Sequence, residues 1–592
     1  MTRKYNCLFF YFFVLNAPKH VYTEDVEVKL GNCVLLGKIE KSLLKENDFL
    51  AFRGIPYGEA PVGKLRFKPP VPHKGWEGTY EAYVEKPTCL QFSSRMRNGE
   101  EFGISGSEDC LFINIFTPSL KGSAPVVVFD YNDNFRTGFN GSLTYAPDFF
   151  VEEGVVVVTI SHRLGLLGYL TTEDDVIPGN NGLRDFLLGL QWIQDNIKSF
   201  GGDASRVSVM GNRGGAAIAE TLLYSKKAKG LFSAVMIQSG TTLEAMYFYR
   251  TPKAKAFEFG RVLKIETDDS EVLLEGLQKV EAGELLRNEI GVLDNDEFEN
   301  DQHSTFPFAP TIEPENPEAV ITNLPENGHI VNDVPVLIGF NSREGLDLTS
   351  HFLAMPQLVS HQIEENIVQF PIRQNYRFVN GDKAYKEAAK DILEFYFEDK
   401  SVHYGNVMEY TVYAGDVLQM YALQKAVTKL SAELQSNLYF YMFDFLGEFN
   451  ENSYHISRFS RYKTENHGAT IGDELCYLHL CNRIRNTYKQ ILKLPNVLQD
   501  VKLLKKMVRL WTNFAKSRNP TPSKDDTVLN GLIWKPVEKE ANVLNYLHIT
   551  KKPRMDVNPL GDRAKFWDNF LDKYSKMAVD GIVKAKETKD EL

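Results

Sequence analysis

The chain has 592 residues, with 67 Lys and Arg against 78 Asp and Glu, for a formal net charge of −11. Its 43% hydrophobic and 24% charged residues match globular averages, which excludes a disordered, collagenous or disulfide-dense chain. The acidic balance, without a long basic run, argues against nucleic-acid binding by phosphate neutralisation.

Residues 1–6, MTRKYN, are basic, and residues 7–15, CLFFYFFVL, are wholly apolar. This is the secretory signal pattern, and the run is too short for a bilayer span of ~20 residues. Residues 1–20 are read as a signal peptide, leaving no membrane span after cleavage; a retained signal anchor is the alternative. The runs PVVVF (125–129) and VVVVTI (155–160) are continuous and β-branched, as suits strands buried on both faces of a parallel sheet. Residues 183–198 carry apolar positions at helical spacing. SVM (208–210), a glycine-rich turn and AAIAETLLYS (216–225) predict strand, turn and helix. VPVLIGF (334–340) and LYFYMFDF (438–445) predict two more strands. Strands alternating with helices indicate an α/β fold with a large, mostly parallel sheet. Acidic stretches at 293–301 and 395–400 read as solvated loops, and 576–592 as a flexible charged tail.

The tail ends in Lys589, Asp590, Glu591 and Leu592, the KDEL address read by the KDEL receptor. Together with the signal it places the protein in the lumen of the endoplasmic reticulum. That compartment permits disulfides. Of Cys7, Cys33, Cys89, Cys110, Cys476 and Cys481, the first leaves with the signal, so at least one of the rest is unpaired. Cys476 and Cys481 lack a neighbouring ligand cluster with zinc spacing and read as buried free thiols. Asn140-Gly141-Ser142 is a glycosylation sequon in a turn-rich stretch.

Long ordered blocks now become informative: FRGIPYGEAPVGKLRFKPP (52–70), SEDCLFINIFTP (107–118), residues 179–211, GLFSAVMIQSG (230–240), VPVLIGFNSREG (334–345), GDELCYL (472–478) and WTNFAKSRNP (511–520). On these the chain resembles the type-B carboxylesterase/cholinesterase family of α/β-hydrolases, insect esterase-like members especially, over about residues 25–572. The resemblance implies one catalytic-type domain with a twisted sheet flanked by helices. It implies a Cys89–Cys110 disulfide, worth ~3 kcal/mol by restricting the unfolded chain, and internal ion pairs Arg66–Glu108 and Arg163–Asp185. The family's second disulfide has no visible counterpart.

The resemblance also locates an esterase site, and there the residues depart from what ester hydrolysis needs: a serine on a tight elbow, a histidine base, an acid and oxyanion donors. The elbow G-x-S-x-G reads Gly211-Asn212-Arg213-Gly214-Gly215. Both flanking glycines remain, but Arg213, with a pKa above ~12, is no nucleophile. Ser208 lies on the preceding strand and cannot substitute. Ile471 occupies the histidine position before Gly472-Asp473-Glu474-Leu475, and an alkyl side chain moves no protons; His467 reads as a loop residue. The oxyanion segment H-G-G-G reads Tyr131-Asn132-Asp133-Asn134, where Asn and Asp tolerate glycine's backbone angles poorly and Asp133 brings negative charge towards a developing oxyanion. Only the acid survives, as Glu344.

These losses fall in three separate regions while the scaffold blocks persist. They point to a catalytically inactive member acting as a luminal binding, chaperone or scaffolding protein, with no cofactor. Neuroligin-, neurotactin- and glutactin-like members of the family serve as protein-binding modules. An ester hydrolase of the endoplasmic reticulum with an atypical site is the alternative. An unidentified luminal protein is the expected partner, and a small apolar ligand in the remnant gorge stays open. Without its histidine, Glu344 lacks a donor. Arg213 is expected either to pair with it, directly or through Asn212, Asp133 or a water, or to point up the gorge to solvent.

Overall fold

The computed structural model describes residues 25–92, 103–138, 141–248, 252–292, 302, 306–359, 366–463, 468–494, 498–539 and 543–585. The signal segment 1–20, Asn140, His467, the stretch 293–301 and residues 589–592 lie outside them. No described helix is long and apolar enough to cross a membrane.

The sheet begins with an antiparallel edge, β1 (Asp25–Leu30), β2 (Cys33–Lys41), β3 (Asp48–Pro56) and β4 (Phe112–Thr117). Its centre is β5 (Ala124–Asp133), β6 (Val156–Ile160), β7 (Gly202–Arg213) and β8 (Ala234–Gln238). It closes with β9 (Val336–Asn341), β10 (Leu438–Phe443), β11 (Asn545–Ile549) and β12 (Arg554–Val557). The spatial order is 1-2-3-4-6-5-7-8-9-10-11-12. From β6 to β11 every neighbouring pair is parallel.

The β-branched runs become central strands because both sheet faces are covered. Val126 and Val128 of β5 belong to one buried core, which includes Leu190, Ile218 and Leu222 of the helices Asn181–Asn196 and Gly214–Tyr224. Val127 and Phe129 belong to the other, with Leu510, Trp511 and Phe514 of the helix Gln499–Ser517. Side chains alternate between faces with period two, so a strand buried on both sides reads as an unbroken apolar run. The order reverses where β6 inserts between β4 and β5. In open α/β sheets, sites form beyond the carboxyl ends of strands near such a reversal. Here those ends carry Asp133 on β5, Arg213 on β7 and Asn341 on β9.

Two expectations are corrected. Cys476 and Cys481 are not free thiols: they form a disulfide, with Cα atoms 5.3 Å apart. The chain turns at Glu474–Tyr477 and returns as Leu480–Cys481 to pair with Tyr145–Ala146, which brings the sulfurs together. Cys33 is the free cysteine among the described residues. Nor is the whole charged tail a loose arm. Ala578–Val579 pairs with Ile582–Val583, and Val583 N donates to Arg377 O at 3.0 Å while Arg377 N donates to Gly581 O at 2.9 Å.

Candidate active site

At the end of β7 the chain turns into the helix Gly214–Tyr224 through Arg213, whose φ is 55° and ψ −119°. This is a strained corner for a side-chain-bearing residue. Flanking glycines allow it: a Cβ on Gly211 would lie 1.9 Å from the Gly215 carbonyl oxygen, and one on Gly215 would lie 2.4 Å from that of Asp130. The elbow therefore forms as the sequence predicts, with a guanidinium at its apex.

Arg213 is 9% exposed. Its Nη1 lies 3.0 Å from Asp133 Oδ1 and its Nη2 lies 3.2 Å from Asp347 Oδ2. Asp133 Oδ1 accepts no aligned hydrogen bond, so that contact is an ion pair held by charge more than by direction. Burial disfavours the Arg213 cation, but Asp133 and Asp347 outweigh it and hold the group protonated well above its ordinary range. Burial pushes the neighbouring Tyr131 phenol up to about 12.

The expected direct Arg213–Glu344 pair does not form, nor does Arg213 point out to solvent, because Asp133 and Asp347 hold it. Glu344 faces inward: Ser239 Oγ donates to its Oε1 at 2.7 Å and Asn341 N donates to the same oxygen at 2.7 Å. Burial, and then the nearby Glu474, push its carboxyl well above the usual carboxylate range. Asn212 does not relay Arg213 to it either. Asn212 Nδ2 donates to Glu474 Oε1 at 3.0 Å, and Asn341 Nδ2 donates to Glu474 Oε2 at 2.7 Å. Burial raises Glu474 to about 7. Two networks thus share this end of the sheet: one of ion pairs around Arg213, and one of hydrogen bonds joining Asn212, Glu474, Asn341 and Glu344, whose two acids burial shifts upward.

Ile471 is buried, and its carbonyl accepts from Asn452 Nδ2 at 2.8 Å while the same amide donates to Asp347 Oδ1 at 2.8 Å. Thr470 Oγ1 donates to the Glu344 carbonyl at 3.3 Å, so this loop sits against the acid loop. At the position that the resemblance matches to a histidine, the side chain carries no donor or acceptor.

The segment 131–134 has become part of a hairpin. Asn132 pairs with Gly138 and Asp133 with Thr137, and Arg136 N donates to Asp133 O at 3.0 Å. Asn134 and Phe135 occupy the turn with φ of 51° and 62°. The expectation that these residues resist left-handed angles is corrected at Asn134, whose side chain accepts a 2.8 Å hydrogen bond from Tyr247 Oη. Beneath the turn, Asn132 Nδ2 donates to Asp130 Oδ2 at 2.7 Å, and His162 Nε2 lies 3.1 Å from Asp130 Oδ1. Burial alone would lower His162, but Asp130 reverses the effect and its pKa is raised.

Sequence reasoning missed Asp347, Glu474 and the His162–Asp130 pair. The available signals were acids close after Glu344 and inside the 472–475 block, and polar residues directly abutting the runs 125–129 and 155–160. Elsewhere Cys89 and Cys110 are bonded, with Cα atoms 4.9 Å apart. Arg66 donates to Glu108 in bidentate fashion at 2.6 and 2.7 Å, and Arg163 to Asp185 at 2.8 and 2.7 Å. A recess of about 10 Å³, roughly room for one water, lies beside these pairs, lined by Phe67, Leu90, Leu164 and Leu167 among others, and not by Arg213, Glu344 or Ile471.

Residues 23–567 match the profile of the Carboxylesterase family. Esterase FE4 of Myzus persicae is 31% identical over 518 residues, 85% of each chain. Neuroligin-2 of Mus musculus is 27% identical over 582 residues, covering 87% of this chain and 64% of its own. In fold, the chain is similar to a crystal structure of juvenile hormone esterase from Manduca sexta, with a TM-score of 0.72, 24% identity, and coverage of 93% of this chain and 100% of that one. The sheet order, the glycine-built elbow and this span of similarity lead to one conclusion: the chain belongs to the carboxylesterase family.

Proposed function

We propose that this chain is a non-hydrolytic member of its family, working in the lumen of the endoplasmic reticulum as a binding, chaperone or scaffolding protein for a luminal partner. The observation that carries the reading is the guanidinium of Arg213 at the elbow apex, clamped between Asp133 and Asp347. A nucleophile there must be deprotonated and free to attack; this group is permanently protonated and already paired. Ile471 supplies no base, and Glu344 has no imidazole to orient. The luminal placement rests on the signal-like start and on Lys589, Asp590, Glu591 and Leu592, with Asn140 as a glycosylation site consistent with that compartment. The resemblance to neuroligin-like binding members adds support.

The test is hydrolysis of a short-chain nitrophenyl ester by the purified chain, together with labelling by a fluorophosphonate serine probe. The reading expects turnover equal to the buffer blank and no label. Robust hydrolysis that follows the protein through purification and is abolished by the probe returns the alternative, an ester hydrolase with an atypical site. Crosslinking in intact lumen followed by isolation of the chain identifies the partner.

A further inference from the structure

Exposed aromatic and cationic side chains converge on one surface. The helix Glu451–Phe459 and the bend after it expose Tyr454, Arg458, Phe459, Arg461 and Lys463. Tyr454 is 63% exposed and Tyr404, from a neighbouring turn, 67%. Tyr454 and Arg458 are four apart on the helix and share a face. The rings of His455 and Phe459 lie 5.5 Å apart. Tyr462 Oη donates to the Tyr404 carbonyl, which joins the turn to the helix exit, and Arg461 N donates to Leu353 O at 2.9 Å.

Among the described residues of the segment 454–463 the charges are one-sided. Residues 454–463, YHISRFSRYK, contain no acid, in a chain of net charge −11. Among the described residues Arg458, Arg461 and Lys463 form no ion pair with a carboxylate. Glu451, at the helix start, is taken by Arg483 at 2.7 Å, and Asp399, close to Tyr404 in the chain, lies 3.0 Å from His403. Elsewhere the chain pairs its buried and half-buried arginines, as at Arg53, Arg66, Arg163 and Arg373.

The surface is also held rigidly. Asp473 accepts from Asn452 N at 3.1 Å and Ser453 N at 3.0 Å, capping the helix start from twenty residues downstream, and Asn452 reaches Asp347 and the Ile471 carbonyl. A pre-ordered helix face loses little entropy on binding. Tyr, Phe and Arg are the residue types enriched at protein interfaces and their energetic centres, and arginine forks match carboxylates in bidentate fashion.

We infer that the face formed by Tyr404, Tyr454, Arg458, Phe459, Arg461 and Lys463 docks an acidic polypeptide segment that carries aromatic or aliphatic side chains between its carboxylates. Carboxylates of the partner meet the three cations, which have no carboxylate partner among the described residues, and its apolar side chains cover the exposed rings. The inference rests on the binding role proposed above and names the partner chemistry of that role.

The test is fluorescence anisotropy of a labelled Glu/Tyr copolymer titrated with the purified full chain. Wild type is expected to bind, with affinity falling as salt is raised, and to prefer this copolymer over a Glu/Ser copolymer of equal charge. Arg458→Glu/Arg461→Glu is expected to weaken binding at least about tenfold, and Tyr454→Ala to remove the preference for tyrosine. Unchanged melting temperatures show that both variants are folded, as expected for exposed sites. Equal binding by wild type and the charge-reversed variant overturns the proposal. So does flotation of wild type with phosphatidylserine vesicles without copolymer binding, which makes the face a membrane surface. Ester hydrolysis by wild type removes the non-hydrolytic reading but leaves this titration to stand or fall separately.

Discussion

Asp347 lies one helical turn beyond Glu344, and its Oδ2 sits 3.2 Å from Arg213 Nη2. The carboxylate that answers the elbow cation is therefore a neighbour of Glu344, the residue that the resemblance matches to the family's acid, rather than Glu344 itself. Glu344 begins the short helix Gly345–Leu348 and turns inward to Ser239, while Asp347 lies on that helix within reach of Arg213. Burial next to Glu474 disfavours an ionised Glu344 and raises its pKa, and no cation among the described residues is paired with it to offset this.

Breaking this clamp should destabilise the fold in a graded way. Asp133 and Asp347 side chains are 41% and 22% exposed, so either single Asn substitution leaves one screened partner and is expected to cost about 1 kcal/mol. Asp133→Asn/Asp347→Asn strands a nearly buried cation and should cost about 3 kcal/mol, with Arg213→Met recovering much of the loss. Urea denaturation of the four variants measures the cycle; additive single losses with no recovery would refute the clamp.

Restoring the nucleophile should not restore hydrolysis. Arg213→Ser leaves Ile471 without a base function and the segment 131–134 folded into a hairpin. Nitrophenyl ester turnover is expected to stay at the blank in Arg213→Ser, and to remain far below that of an active esterase in Arg213→Ser/Ile471→His. Rapid turnover by the single variant would show that another base serves the elbow.

Stability should rise as pH falls from about 8.5 to 6.5. Burial raises Glu244 to about 8 and Glu474 to about 7, from an ordinary 4.5. For such acids the stabilising contribution is fully present below the unfolded pKa and is lost as pH rises through the folded one. Burial lowers His479 from 6.5 to about 3. Its contribution is present above 6.5 and is lost as pH falls further, so it opposes the carboxylates only below that point. Thermal melts across this range check the trend, and a melting temperature that is higher at the alkaline end contradicts it.

The two disulfides should differ in weight. Cys89–Cys110 spans 21 positions and Cys476–Cys481 only 5. Loop-closure entropy assigns ~3 kcal/mol to the first and ~2 kcal/mol to the second. Cys89→Ser/Cys110→Ser should therefore lower the denaturation midpoint more than Cys476→Ser/Cys481→Ser. The reverse order would give the second disulfide a structural role beyond loop closure.

If the chain works in the lumen as proposed, deleting residues 589–592 should release it into the culture medium, read by immunoblot of medium and cells. Retention without these residues would mean that an anchor or a resident partner holds the chain.

Much of this protein was legible in its amino-acid order, because the deciding physics is local. Unbroken β-branched runs at 125–129 and 155–160 can satisfy period-two packing only with both faces covered, and they form β5 and β6. Glycines at 211, 214 and 215 announce a tight elbow, since any Cβ there collides with backbone or with Asn132. The residue types at 213 and 471 exclude nucleophile and base chemistry by their functional groups alone. What the chain order left open is which distant groups meet. Arg213 has Asp133, Glu344 and Asp347 within plausible reach, and the turn taken after β9 selects among them. Cys476 and Cys481 join because a strand returns beside its own preceding turn. His162 finds Asp130 because β5 and β6 are sheet neighbours. Periodicity and backbone sterics act over a few residues, whereas a buried ion pair depends on loop geometry and side-chain direction between residues far apart in the chain, and only the folded chain decides those.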